Sequence, residues 1–218
     1  MRAGFWQLDR KLEKEALFDS FETGEEANTL TSLVSPTLIT ELRFRPIELQ
    51  GSFDPAHQVL LDNIARNGVV GYEILTPLRV GSNTVLVNRG WMAASPFRNE
   101  LPEIDVAAAP RSLRGRLSPL PRLGLQLEGR TVPADSPWPR RLHYPSAAEL
   151  SEQLGYTVLD YQVLLDSDEP DGYLRDWRPR ISGPETNLGY AVQWFAFAIA
   201  VTVIFLVMNL KRSDKQNE

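Results

Sequence analysis

GYEILTPLRVGSNTVLVNRGWM, residues Gly71 to Met92, holds two runs rich in β-branched and aromatic side chains around Gly81-Ser82-Asn83. Such runs suit a pleated surface, and a Gly/Ser/Asn cluster between them turns the chain back on itself. The pattern predicts a β-hairpin, Gly71–Val80 with Thr84–Met92. Upstream, Phe44–Phe53 alternates as a strand, and His57–Ile64 reads as a second that a turn at Asp54-Pro55 folds back onto the first. Downstream, Arg111–Leu117 alternates basic with small or apolar residues and reads as a strand, whereas the Pro-rich stretch Ser118–Pro139 reads as a long loop. Ser146 followed by Glu149 has capping-box spacing and Gly155 supplies a stop, so Ser146–Gly155 predicts a short helix. Tyr156–Asp166, YTVLDYQVLLD, predicts a further strand. Residues 36–183 therefore read as a soluble β-rich domain, an antiparallel sheet or partly closed barrel with one small helix.

The two ends read differently. Tyr190–Leu210 is YAVQWFAFAIAVTVIFLVMNL, without a charge, a Pro or a Gly. As a helix it spans roughly 30 Å of hydrocarbon, so 188–210 is expected to cross a membrane. Tyr190 and Trp194 lie one turn apart where rings favour the headgroup level, and Lys211, Arg212 and Lys215 follow the apolar run. Arg175, Arg178 and Arg180 precede it, but short flanking segments set orientation more strongly than long domains. A cytoplasmic tail at 211–218 is the expectation, with the β-rich domain on the other side. Exporting such a domain needs a signal sequence or an earlier span, and the chain opens on MRAGFWQLDRKLEKEALFDSF. That opening reads as a charged amphipathic helix over 1–22, with Leu8, Leu12 and Ala16 on one stripe. Two topologies follow: a tail-anchored protein whose domain stays cytoplasmic, or a further span upstream of Met1. The fold class is thus an α+β membrane protein with a β-rich domain and a C-terminal transmembrane helix.

Composition excludes several functions. A formal charge of -5, a pI near 5.2 and no clustered basic motif argue against nucleic acid, whose phosphates need Lys and Arg to displace counterions. The 218 residues contain no Cys, which removes disulfides, thiolate catalysis, Cys-ligated zinc and iron–sulfur clusters together. Only His57 and His143 are present. Each reads as a surface residue or as a haem axial ligand, since a neutral imidazole suits that role. No G-x-S-x-G, Walker, Rossmann or metalloprotease pattern occurs, so enzymatic activity is not expected. The acidic run Asp166–Gly172 resembles the start of a calcium loop, yet its Gly falls one position late and Trp177 stands where a bidentate Glu belongs. A solvated loop is the better account. Asn88-Arg89-Gly90-Trp91 has an architectural reading, in which Gly90 permits a turn and Trp91 covers the sheet end. It also has a binding reading, in which Arg89 meets an anionic ligand such as a propionate. Gln193, a turn into the apolar helix, reads as solvated at the interface or as a hydrogen-bonding group toward another membrane helix.

Three segments, Phe5–Lys11, the hairpin with Val85–Trp91, and Leu188–Phe195, together resemble the Surfeit locus protein 1 family, as do Arg45–Ile47 and Gly51–Asp54. The resemblance covers most of the chain in order. It implies two membrane helices flanking a domain in the periplasm or intermembrane space. It also implies a role in assembling haem-copper cytochrome c oxidase, supplying or stabilising haem a for subunit I alongside haem a synthesis or insertion factors. Carried onto this chain, it makes a bacterial inner-membrane protein with a periplasmic domain, and a first span upstream of Met1 lost through a misplaced or truncated start. Trp6, Arg10, Arg89, Trp91, Tyr190 and Trp194 become the candidate contacts for haem a or a protein partner. The family commonly has a His, its favoured haem a ligand, three residues before the Tyr of the second span. Here that residue is Asn187, a poor iron ligand.

Overall fold

The computed structural model of the chain describes residues 2–97, 100–121, 136–178 and 183–214. In order, the elements are α1 (Arg2–Glu26), a 3-10 turn (Pro36–Leu38), β1 (Pro46–Phe53), β2 (Val59–Arg66), β3 (Val69–Val80), β4 (Asn83–Ala93), β5 (Arg111–Ser118), β6 (Arg140–Leu142), α2 (Ala147–Leu154), β7 (Val158–Leu165) and α3 (Pro184–Asp214). They form two compact units, one of Thr23–Arg178 and one of Met1–Glu22 with Pro179–Glu218. Most of the expected loop Ser118–Pro139 lies outside the described residues.

The first unit is a barrel. Strands pair in the order β1-β5-β7-β4-β3, and β3 returns to β1 through Ser52↔Arg79 and Phe53↔Leu78, so five strands close on themselves. The length of β3 permits this, because one end pairs β1 while the rest, from Val69 to Leu75, pairs β2. β2 and then β6 extend the sheet beyond the closure. Most pairs are antiparallel as expected, but β4–β7 and β2–β6 are parallel, and β2 pairs with β3 and β6 rather than folding back onto β1 as its turn suggested. Parallel neighbours need a long crossover, and β5, β6 and α2 lie between β4 and β7 in the chain. Two hairpin turns rely on left-handed residues, Gly81 at φ 59° and the pair Asn67 (φ 50°) and Gly68 (φ 79°), which suit a two-residue turn.

Strand periodicity sorts the core into layers. Val85 and Val87 on β4 join Ile47, Leu49, Leu113 and Tyr161 in a cluster drawn from all five barrel strands. Leu86, between those valines, turns to a second cluster with Val59, Leu75, Val158 and Leu150 of α2. α2 starts and stops where its residues dictate. Ser146 Oγ accepts from the Glu149 amide at 3.2 Å, Glu149 Oε2 accepts from the Ser146 amide at 2.7 Å, and Gly155 takes φ 72° at the C-terminus.

The second unit is a helix pair. α3 contains a candidate membrane span, Pro184–Asn209, whose most apolar 18-residue window has mean hydropathy 2.3 and is only 6% buried. A core helix of a soluble protein would be mostly buried, so length and exposure together mark a membrane-crossing helix. Its inner face meets α1 in antiparallel order. The Phe195 ring lies on Gly4, where an added Cβ would sit 2.7 Å from Cζ, and 5.3 Å from the Phe5 ring. Asn187 reaches Gln7 and Lys14. The packed face of α1 is therefore Gly4, Gln7 and Lys14, and Leu12 of the Leu8-Leu12-Ala16 stripe is 61% exposed. An aromatic ring needs a gap in the opposite helix and a carboxamide needs polar partners, so the apolar stripe is not the seam.

Candidate functional site

Arg89 is 1% exposed, and its guanidinium is spent inside the barrel unit. Nε donates to the Asp171 carbonyl at 2.8 Å, Nη1 to Gln58 Oε1 at 2.8 Å and the Ile104 carbonyl at 2.9 Å, and Nη2 to the Asp105 carbonyl at 3.1 Å. Gln58 Oε1 also accepts from Thr76 Oγ1 at 2.8 Å, and the Tyr173 ring lies 5.2 Å from the guanidinium carbon. Burial lowers the Arg89 pKa from its usual value, with Tyr173 and Asp171 opposing. The acceptors that hold the guanidinium are backbone carbonyls and a carboxamide, so the charge is solvated by neutral dipoles rather than bonded to a carboxylate. Arg89 fastens loops 104–105 and 171–173 to β4, and it presents no donor to an external propionate. Trp91 is likewise architectural: its Nε1 donates to the Ile64 carbonyl at 2.8 Å, and its backbone bridges Leu174.

The acidic run also folds around a guanidinium. Arg175 donates through Nη1 to the Asp166 carbonyl and, at 2.7 Å, to that of Glu169; Nη2 reaches the Ser167 carbonyl at 2.8 Å. A Cβ on Gly172 would collide with this guanidinium. Outside the loop, Arg111 pairs with Asp171, Arg114 with Glu169 at 3.3 Å and Arg116 with Asp166 at 3.9 Å. Trp177 donates to the Leu165 carbonyl at 2.8 Å. A cation thus fills the loop, and it is a side chain.

The helix pair has the opposite character. Trp6 is 53% exposed, with the Arg10 guanidinium 5.9 Å from its ring centroid, and Arg10 is held to Glu13 at 2.7 Å. Tyr190 and Trp194 lie one turn apart on α3 and are about half exposed, with Trp194 edge-on to Phe197 at 6.3 Å. Asn187 faces inward instead. Its Oδ1 accepts from Lys14 Nζ at 2.6 Å and its Nδ2 donates to Gln7 Oε1 at 2.6 Å. Both amide atoms are engaged in the helix seam. Gln193 is exposed on α3.

The two histidines differ in support. His57 Nδ1 lies 2.9 Å from Asp54 Oδ2, which also accepts from Arg79 at 2.9 Å and Tyr156 at 3.0 Å. Burial alone would raise the Asp54 pKa, but the hydrogen bonds from His57, Arg79 and Tyr156 outweigh it and hold the carboxyl below its usual range. His143 stands 3.9 Å from Asp62. Of this cluster, sequence reasoning singled out only the histidines. The Asp54-Pro55-x-His57 spacing in a turn was the available signal.

The six candidate contacts thus divide, four exposed in the helix unit and two buried in the barrel unit. Residues 1–199 match the model of the SURF1 family. This chain belongs to the SURF1 family. Surfeit locus protein 1 of Xenopus tropicalis is 23% identical over 223 residues, 93% of this chain and 69% of that protein. A SURF1-like protein of Dictyostelium discoideum is 34% identical over 62 residues, 28% of this chain and 23% of that protein. Membership in the SURF1 family supports a general role in oxidase assembly and a membrane location.

Proposed function

We propose that this SURF1-family chain is a non-enzymatic assembly factor for haem-copper cytochrome c oxidase, helping to deliver haem a to subunit I or to hold it there, beside haem a synthesis or insertion factors. The observation that carries the reading is the exposed aromatic and cationic flank of the helix pair, Trp6 with Arg10 on α1 and Tyr190 with Trp194 on α3. An apolar macrocycle with carboxylate tails suits aromatic faces beside a guanidinium. Those residues bind and orient; haem a, when bound, supplies redox-active iron for the oxidase. Asn187 does not fit as an axial ligand, because both amide atoms are held by Lys14 and Gln7. In this reading α3 crosses a bacterial inner membrane, its tail is cytoplasmic, and the barrel is periplasmic.

The engaged Asn187 favours a second reading, a membrane scaffold for oxidase subunits that does not touch haem. Spectra of the protein purified after co-expression with haem a synthesis separate the two, since the scaffold carries no haem a band. Deletion in the organism that carries the chain tests both. Loss of a-type haem absorbance and oxidase activity from its membranes is expected, and unchanged values would reject the assembly role.

A further inference from the structure

The far end of the β2–β3 hairpin presents an exposed surface without charge. Asn67 and Gly68 make its turn, and Val69 and Val70 follow it, 48% and 38% exposed. Consecutive strand residues point to opposite faces, so the tip is apolar on both sides. Beside it runs the end of β4. The Ala94 amide donates to the Val70 carbonyl at 3.1 Å, and Phe97 beyond it is 67% exposed. Every exposed residue of 64–70 and 91–97 is uncharged. The one charge in those stretches, Arg66, is folded away: it is buried, 3.5 Å from Glu73, with its guanidinium carbon 5.7 Å from the Trp91 ring centroid.

Two observations point to lipid as the occupant of this tip. A groove in a partner protein reads one face or one edge of a hairpin, whereas a tip that is apolar on both faces suits a medium that surrounds it. A charge carried into that medium would have to shed its water, and this tip carries none outward. Hydrocarbon is also within reach. Leu174 pairs with Trp91 through backbone hydrogen bonds of 2.9 and 3.0 Å, which fixes the last part of the barrel unit's chain beside the end of β4. About ten residues lead from Leu174 to Pro184 at the start of α3, and an extended chain of that length spans at most about 35 Å. The end of β4 is therefore held on a short tether to the helix that crosses the membrane.

We propose that the β2–β3 tip, through Val69, Val70 and Phe97, inserts into the interfacial layer of the bilayer that α3 crosses, giving the barrel unit its own lipid contact. The proposal rests on α3 as a membrane span and on no part of the haem reading. The chain has no Cys, so one introduced thiol carries a single spin label. Val70→Cys and Phe97→Cys, with Ser82→Cys in the turn at the other end of β3, are labelled in the full-length chain and reconstituted into phosphatidylcholine vesicles, which have no net charge. Electron paramagnetic resonance then reads collisions of each label with oxygen, which concentrates in lipid, and with a water-soluble nickel chelate. The oxygen-to-chelate collision ratio is expected to be higher at 70 and 97 than at 82. Val69→Cys serves where another tip variant loses the wild-type denaturation midpoint. Tip labels as open to the chelate as the label at 82 overturn the proposal, and so do tip labels shielded from both reagents, which mark a protein partner instead. The assembly reading falls separately, only if the deletion strain keeps its a-type haem.

Discussion

Arg89 in the barrel and Arg10 on the helix pair carry the same guanidinium beside an aromatic ring, yet one is sealed among carbonyls and the other stands in solvent. A buried charge needs hydrogen-bond partners, and all three nitrogens of the Arg89 guanidinium donate to groups of the barrel unit. An exposed cation over a ring contributes little to folding and remains available to a ligand. An arginine beside an aromatic ring is therefore structural where it is sealed and accessible where it is exposed, and burial decides which.

The comparison breaks first at Arg89. Arg89→Met strands the carbonyls of Ile104, Asp105 and Asp171 and is expected to cost about 3 kcal/mol or more, read as a lower denaturation midpoint at unchanged m-value. A midpoint within error of wild type would remove the architectural assignment. Arg175→Ala empties the acidic loop of its cation and is expected to cost about 2 kcal/mol, with added calcium giving no recovery; recovery by calcium would revive the metal reading. Ser146→Ala removes one helix cap and should cost about 1 kcal/mol in the same measurement, calibrating the scale for a local contact. Asp54 adds an acid-specific check. Its folded pKa is depressed, so its stabilising contribution is complete above about pH 4 and is lost as pH falls through the lowered value. Asp54→Asn should flatten that acid limb, and an unchanged slope would show that the carboxylate is not the group responsible. The smallest effect on folding belongs to Trp6→Ala with Arg10→Ala, under about 0.5 kcal/mol. Their expected signature is a reduced a-type haem absorbance in membranes at normal protein abundance; full absorbance would strip the helix flank of its assigned role.

Much of the barrel was legible because its signals are local. The hairpin around Gly81, the Ser146–Glu149 box and the Gly155 stop each rest on residues within a few positions of one another, and the apolar run of α3 declares itself by length. β6 is three residues long and is held by its pairing with β2, so no periodicity could announce it. Closure of β3 on β1 and the parallel β4–β7 pair join residues far apart in sequence, and local pattern carries no register for such pairs. The candidate site divided in the same way. Trp6, Tyr190 and Trp194 are surface residues that need no partner to be found, whereas the fate of Arg89 depends on Gln58, Ile104 and Asp171, which only the fold brings to it. The α1 seam was hidden for a related reason, since Gly4, Gln7 and Lys14 acquire meaning only opposite Phe195 and Asn187.

The guanidinium inside the Asp166–Asp171 loop has a consequence for where this domain can live. Because Arg175 is joined to the loop by a few peptide bonds, it is supplied at an effective concentration on the order of millimolar or above, whatever the surrounding fluid contains. A loop closed by a dissolved ion would change shape between a compartment rich in divalent cations and one depleted of them. This one brings its counter-charge along, so its form does not depend on the divalent cations dissolved around it.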